Sequence, residues 1–263
     1  MTASILDKII ETKKKEVAGA SALVPVEQLR EQAADRGDHR SLAGPMGRSG
    51  VNIIAEIKRA SPSKGDICPD LDAAQQAMEY QAGGAAALSV LTDGPYFQGS
   101  LSDLKQARAA ITLPVLRKDF LIDPYQVFEA GAAGADAILL IVRVLEEKRL
   151  NELLELSQAM NMDALVEVHS GSDLKIASRA GASLIGINNR DLSSFDTDIG
   201  TAVRMVERLT PDQIPVAASG IAGPEDIRRN LAAGIHNFLI GESLVRSKNP
   251  ADFLTSLIQV GKL

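Results

Sequence analysis

A chain of 263 residues, 45% hydrophobic and 24% charged, has an ordinary globular composition and the length for one α/β barrel or two small domains. A net charge of −6 argues against non-specific nucleic-acid binding but leaves room for small anions held by local basic groups. The single cysteine, Cys68, excludes an intrachain disulfide framework and fits a reducing cytoplasm, no apolar run approaches a membrane span, and Met1 to Ser4 lacks the opening of a signal peptide.

In chain order, Ser4 and Asp7 have capping-box spacing, and Ile5, Ile9 and Ile10 form a helical stripe behind them. Lys13, Lys14 and Lys15 read as a solvated helix face. A second helix is expected over Val26 to Ala34, followed by a Gly-, Arg- and Pro-rich connection from Gly37 to Gly50. Residues 1–48 therefore read as a helical extension packed on a domain spanning 49–263.

From Val51 the chain repeats. Ala82-Gly83, Ala133-Gly134, Ala180-Gly181 and Ala233-Gly234 each close a helical stretch, and an apolar run follows each: 85–91, 137–142, 183–187 and 237–240. Glycine at such a stop supplies the left-handed residue beyond the helix, and a continuous apolar run is a strand buried on both faces. Runs at 51–58, 115–120, 164–168 and 216–219 bring the strands to eight. Proline at the first helical position marks helix starts at Pro124, Pro224 and Pro250. Strands alternating with helices predict parallel βα units, and their number predicts a closed (β/α)8 barrel, a TIM barrel, with its functional groups at the C-terminal strand ends.

Alternation on the first strand puts Ile54, Glu56 and Lys58 on one face and Ile53, Ala55 and Ile57 on the other. A carboxylate beside an ammonium on a core strand is either a structural ion pair or part of a site. The third strand adds Lys118 in phase with Leu116 and Phe120. The fifth adds Glu167, and the sixth ends on Asn188 and Arg190. Several such groups converging on one opening form a polar pocket on an apolar barrel. After strands seven and eight, Ser219-Gly220 and Gly241-Glu242-Ser243 read as a phosphate sub-site built on backbone N–H groups and a short helix over Glu242 to Arg246. Glu242 suits an anion site only if its side chain turns outward. His39, His169 and His236 have no ligand spacing, so no metal is expected, and His169 reads as a loop histidine. Cys68 has no partner acid or histidine nearby in sequence. No dinucleotide fingerprint follows a strand, and the loop from Ser61 to Asp66 is long enough to act as a lid.

These motifs resemble the indole-3-glycerol phosphate synthase family. The resemblance runs from Ile54-Ala55-Glu56-Ile57-Lys58 through Ser61-Pro62-Ser63-Lys64-Gly65, Leu116-Arg117-Lys118-Asp119-Phe120 and Leu165-Val166-Glu167-Val168-His169. It continues through Gly186-Ile187-Asn188-Asn189-Arg190 and Ala218-Ser219-Gly220-Ile221 to Ile240-Gly241-Glu242-Ser243. It implies a cofactor-free, cytoplasmic lyase of tryptophan biosynthesis that acts on a phosphorylated small molecule, without nucleic-acid or membrane partners and with a monomer as the default assembly. The reaction would close the ring of 1-(2-carboxyphenylamino)-1-deoxyribulose 5-phosphate with loss of CO2 and water. Carried over by position, Lys118 is the general acid and Glu167 the acid–base partner in dehydration, while Glu56 and Asn188 orient them. Lys58 lies near the phosphate end and also serves the reaction. Ser219, Gly220, Gly241 and Glu242 would hold phosphate, Arg190 and Ser61 the carboxylate, and Phe97, Phe120 and Leu192 the aromatic ring. Two departures stand out: Gly131 sits mid-helix at a cost of about 1 kcal/mol against alanine, and Glu242 leaves no hydroxyl at its position. The alternatives are a phosphoribosylanthranilate isomerase-like barrel, whose chemistry uses a Cys/Asp pair that this first strand lacks, and a non-catalytic phosphate-binding barrel.

Overall fold

The computed structural model describes residues 4–191 and 196–262. Eight parallel strands close into a barrel: β1 (Asn52–Ile57), β2 (Ala87–Leu91), β3 (Val115–Lys118), β4 (Ala137–Ile141), β5 (Asp163–Val168), β6 (Leu184–Asn188), β7 (Ile214–Ala218) and β8 (Asn237–Ile240). Each strand pairs with its neighbours in sequence, and β1 closes the ring by pairing Asn52 with Asn237 on one edge and Ile54 with Ala87 on the other. Pro215, expected just ahead of the seventh strand, is its second residue, a position near the strand start where a missing N–H is tolerated.

Strand alternation sorts the core into two clusters. Ile53, Ala55 and Ile57 pack outward with the surrounding helices, while Ile54, Leu116, Leu139, Leu165 and Leu239 fill the barrel. Glu56 and Lys58 therefore share the inner face, as the period of two requires. At the four helix stops read from the sequence the left-handed residues are Gly84, Gly134, Gly181 and Gly234; Gly83, expected in that role, keeps a helical φ and caps its helix instead.

Residues 4–48 run along the barrel from one end to the other. Helix α1 (Ile5–Leu23) begins with the expected capping box between Ser4 and Asp7, and Ile9 is buried in the inner cluster. Helix α2 (Val26–Ala34) packs on the helix Pro124–Ala132. The expected connection contains a short helix, α3 (Ala43–Met46), at the barrel base. Asp163, at the start of β5, accepts hydrogen bonds from the N–H groups of Leu42 and Ala43 at 2.6 and 2.9 Å. Leu42 and Met46 are thereby held in the inner cluster.

Two sequence expectations need correction. Lys13 is not solvated. It is 3% exposed, and its Nζ lies 2.8 Å from Asp119 Oδ1 and 3.0 Å from Asp93 Oδ2. Lys14 and Lys15 are exposed as expected, Lys14 pairing with Glu11. Gly131 is not simply a weak point in its helix. A Cβ there would come within 2.6 Å of Met160 Cε and 3.0 Å of Ala33 Cβ, so glycine permits the close approach of α2.

Candidate active site

Parallel packing aims every C-terminal strand end at one mouth, and a cavity of about 660 Å³ opens there. Every sequence-predicted site residue borders it except Leu192, which lies outside the described residues. Ile5, Leu6 and Ile9 of α1 border it too, which the sequence reading missed. Their signal was the apolar stripe at the start of the chain, read there only as a packing face.

Two lysine–carboxylate pairs face the cavity. Lys58 Nζ lies 2.7 Å from Glu56 Oε1, and Lys118 Nζ lies 3.8 Å from Glu167 Oε2. Burial pushes the Glu56 carboxyl up, but the neighbouring charges of Lys58, Lys118 and Arg190 outweigh it and hold the group below its usual range. Glu56 is therefore an anion at neutral pH. Asn188 bridges the next layer: its Nδ2 donates to Glu167 Oε1 at 3.1 Å, and its Oδ1 accepts from the Arg190 N–H at 3.0 Å. His169, read as a loop histidine, does follow the end of β5, but it is buried, with Nε2 at 3.4 Å from Glu167 Oε1.

The apolar wall is set by Phe97 and Phe120, whose ring centroids are 6.1 Å apart and tilted by 42°. Ser61 is buried at the cavity edge with its hydroxyl unpartnered. The loop after β1 folds into a short antiparallel ladder, pairing Ala60 with Asp66 and Ser61 with Gly65. Its tip is held over the mouth by Arg190, whose guanidinium donates to Ser63 Oγ at 2.7 Å.

Opposite the lysines, Ser219 and Gly220 take φ values of +67° and +79°, turning the chain sharply after β7. Gly241 lies directly against the Glu56 side chain, where a Cβ would clash with the carboxylate. Glu242 opens the expected short helix, Glu242–Val245. Its carboxylate is met by Arg246 at 3.2 Å, Arg190 at 3.8 Å and Lys64 at 4.0 Å. Three cations around one carboxylate explain how an acidic residue can border a predicted anion site. Among the described residues no group of three or more His, Cys, Asp and Glu is placed to hold a metal ion, and no helix is long and apolar enough to cross a membrane.

The indole-3-glycerol phosphate synthase family matches residues 6–257 of the chain. The chain belongs to that family. Relatives named indole-3-glycerol phosphate synthase are 56% identical in Desulfosudis oleivorans, over 97% of this chain and 99% of theirs, and 52% identical in Syntrophobacter fumaroxidans, over 96% of each. The protein is accordingly an enzyme, a decarboxylating carbon–carbon lyase. Among solved structures, 3-hexulose-6-phosphate synthase from Salmonella typhimurium superposes with a TM-score of 0.64 over 80% of this chain and 98% of its own, at 12% identity. Thiamine phosphate pyrophosphorylase from Pyrococcus furiosus gives 0.60 over 81% and 95%, at 16% identity. At such identities the likeness is one of fold.

Proposed function

We propose that the barrel mouth closes the ring of 1-(2-carboxyphenylamino)-1-deoxyribulose 5-phosphate, with Lys118 as general acid and Glu167 as its acid–base partner. The observation that carries this reading is the pair of lysine–carboxylate couples on one cavity, with Asn188 donating to Glu167. The ring carbon bearing the carboxylate attacks the ketone carbon, and the ketone oxygen takes a proton from Lys118 as the new carbon–carbon bond forms. That carbon is now quaternary. Loss of CO2 returns the bonding electrons to the ring and restores its aromaticity, with no metal required. The hydroxyl then leaves as water, which needs a proton on the oxygen and removal of one from the neighbouring ring carbon. Glu167 exchanges these protons while Asn188 fixes its carboxylate. Anionic Glu56 orients Lys58 at 2.7 Å, which places an ammonium toward the phosphate end.

The substrate's anions have opposing walls. Ser219, Gly220, Gly241 and Glu242 offer backbone N–H groups to phosphate, supported by the left-handed turn after β7 and the first turn of the helix after β8. Ser61 and Arg190 take the carboxylate, supported by the unpartnered Ser61 hydroxyl in the cavity wall. Phe97 and Phe120 flank the aromatic ring. The same reading places the enzyme in the cytoplasm, acting as a monomer on this one phosphorylated substrate, without a cofactor.

Supplying the deoxyribulose phosphate and following indole fluorescence tests the reaction; folded protein without signal would refute it. Lys118→Ala is expected to keep its fold and substrate binding while turnover falls roughly a hundredfold or more, the usual scale for acid–base catalysis. Near-normal turnover in that variant would move the acid role to Lys58.

A further inference from the structure

Glu167 has a buried neighbour that the reaction as described leaves idle. His169 follows two residues later, just past the end of β5, and its side chain is 1% exposed. It does not border the cavity, so it can reach the substrate only through another group. Its Nε2 lies 3.4 Å from Glu167 Oε1, yet neither ring nitrogen makes an aligned hydrogen bond. Buried polar atoms are almost always satisfied, and an orphaned imidazole beside a carboxylate calls for an explanation.

The backbone around it is firmly held. The His169 N–H donates to Asp173 Oδ2 at 2.9 Å, and Arg143 spans Asp173 and Asp191 at 3.2 and 3.1 Å. The charged groups facing the ring are thus Glu167 from β5, Arg143 from the segment after β4, Asp173 from the helix Gly171–Arg179, and Asp191 from the segment after β6. Glu167 in turn faces Lys118 from β3 and Asn188 from β6. Burial, aided by Arg143, pushes the His169 ring below histidine's usual range against the pull of Glu167, Asp173 and Asp191. A neutral imidazole carries one N–H donor and one acceptor nitrogen.

We propose that His169 is a positioning residue for Glu167: in the substrate complex its Nε2–H donates to Glu167 Oε1, and with Asn188 it fixes the carboxylate plane and favours its ionised form. Oε2 is then left to face Lys118 and the reacting atoms. The inference rests on reading Glu167 as the acid–base group. A separation of 3.4 Å is long for a hydrogen bond, but catalytic hydrogen bonds are often long without substrate and need close by only roughly half an ångström.

The test measures kcat and KM against pH for the wild type, His169→Leu, His169→Gln and Glu167→Gln, with folding followed by circular dichroism. His169→Leu is expected to lower kcat roughly tenfold with KM within about twofold, the pattern of a misplaced catalytic group. It should also move the acid limb of the kcat profile to higher pH, because a carboxylate stripped of a donor favours its neutral form. His169→Gln keeps an N–H donor at similar reach and should return the limb to its wild-type position. Should the leucine variant fail to fold, His169→Asn, polar but too short to reach Oε1, takes its place with the same expectation. A merely space-filling histidine would cost stability and leave the limb where it is. A folded His169→Leu with the wild-type limb, or a His169→Gln shifted as far as His169→Leu, overturns the proposal. Glu167→Gln separates the two readings. If it retains near-wild-type turnover, the acid–base role of Glu167 fails and that of His169 falls with it. If it loses turnover while His169→Leu keeps the limb, only the positioning role is lost.

Discussion

Replacing Lys13 by methionine probes how α1 is held at the mouth. The change removes one buried cation and leaves two buried carboxylates. Asp119 keeps compensation, since Arg117 lies 3.2 Å from its Oδ2 and the Thr92 hydroxyl donates to the same oxygen at 2.7 Å. Asp93 is less protected: its Oδ1 accepts the Tyr96 N–H, but its Oδ2 has the Lys13 ammonium at 3.0 Å and no hydrogen-bond donor beside it. Breaking a buried pair from one side costs about 3–5 kcal/mol, and the support left to Asp119 puts this case near the lower end, at about 3 kcal/mol. For a chain of this size that is a fall in Tm on the order of 10 °C. Lys14→Met is the matched control, because Lys14 and Glu11 are 60% and 64% exposed and such a pair contributes less than about 1 kcal/mol. Urea and thermal unfolding followed by circular dichroism read both. Equal losses in the two variants would show that the buried cluster does not anchor α1.

Three further outcomes follow from the same geometry. Gly131→Ala should destabilise by about 1–3 kcal/mol from overpacking against Met160 and Ala33, where helix propensity alone predicts a gain of about 1 kcal/mol; a raised Tm would refute the tight contact. Gly241→Ala should push the Glu56 carboxylate out of place and lower kcat at least roughly tenfold with little change in urea midpoint, and unchanged kcat would dissociate Glu56 from the chemistry. Asp119 and Glu56 both resist the upward push of burial, through Arg117 and Lys13 for the first and Lys58 and Lys118 for the second, and end below their usual ranges. Their contribution to stability is therefore present above an unfolded value of roughly 4 and is lost as pH falls through the depressed folded values. The urea midpoint should hold from neutral pH down to that point and fall below it, and a midpoint that stays level in acid would contradict the assignment.

The barrel and its mouth were legible because both depend on local periodicity. A strand buried on both faces reads as a continuous apolar run, so the few polar residues interrupting it (Glu56, Lys118, Glu167, Asn188) stand out, and alternation tells which face they share. What escaped depended on partners remote in sequence. Lys13 belongs to a run of three lysines, and only its place one turn beyond Ile9, on the stripe of Ile5 and Ile9, hinted that it would be buried. Gly131 looked like a weak helix residue because α2, which needs the space, lies about a hundred residues earlier in the chain. His169 is a loop residue, as expected from a run that ends at Val168, but its burial beside Glu167 was not legible because loop residues are usually exposed. The proposed phosphate side was harder to read at Glu242, where the three cations that meet its carboxylate come from the loops after β1 and β6 and from the end of its own short helix.

The anchors of residues 4–48 explain why α1 belongs to the site. Each is polar and set on an aspartate at a strand end or in the turn beside it. Asp93 and Asp119, at the C-terminal ends of β2 and β3, receive Lys13. Asp136, ahead of β4, receives Arg36 at 3.0 Å and the Arg40 N–H at 3.1 Å, while Arg108 holds it from the barrel side at 2.9 Å. Asp163, at the start of β5, receives the N–H groups of Leu42 and Ala43. The first two lie at the mouth and the last two at the base, so the segment is tied to both ends of the barrel and held taut along its flank by the α2 contact at Gly131. Such ties favour one placement of α1 because the alternatives leave Asp93 buried without the Lys13 ammonium and Asp163 without two N–H donors. With α1 fixed, Ile5, Leu6 and Ile9 complete the apolar wall, and Asp119 ties the same helix to the peptide that carries Lys118. One helix thus contributes both to the cavity wall and to the support behind the proposed acid, through a lysine that does not itself border the cavity.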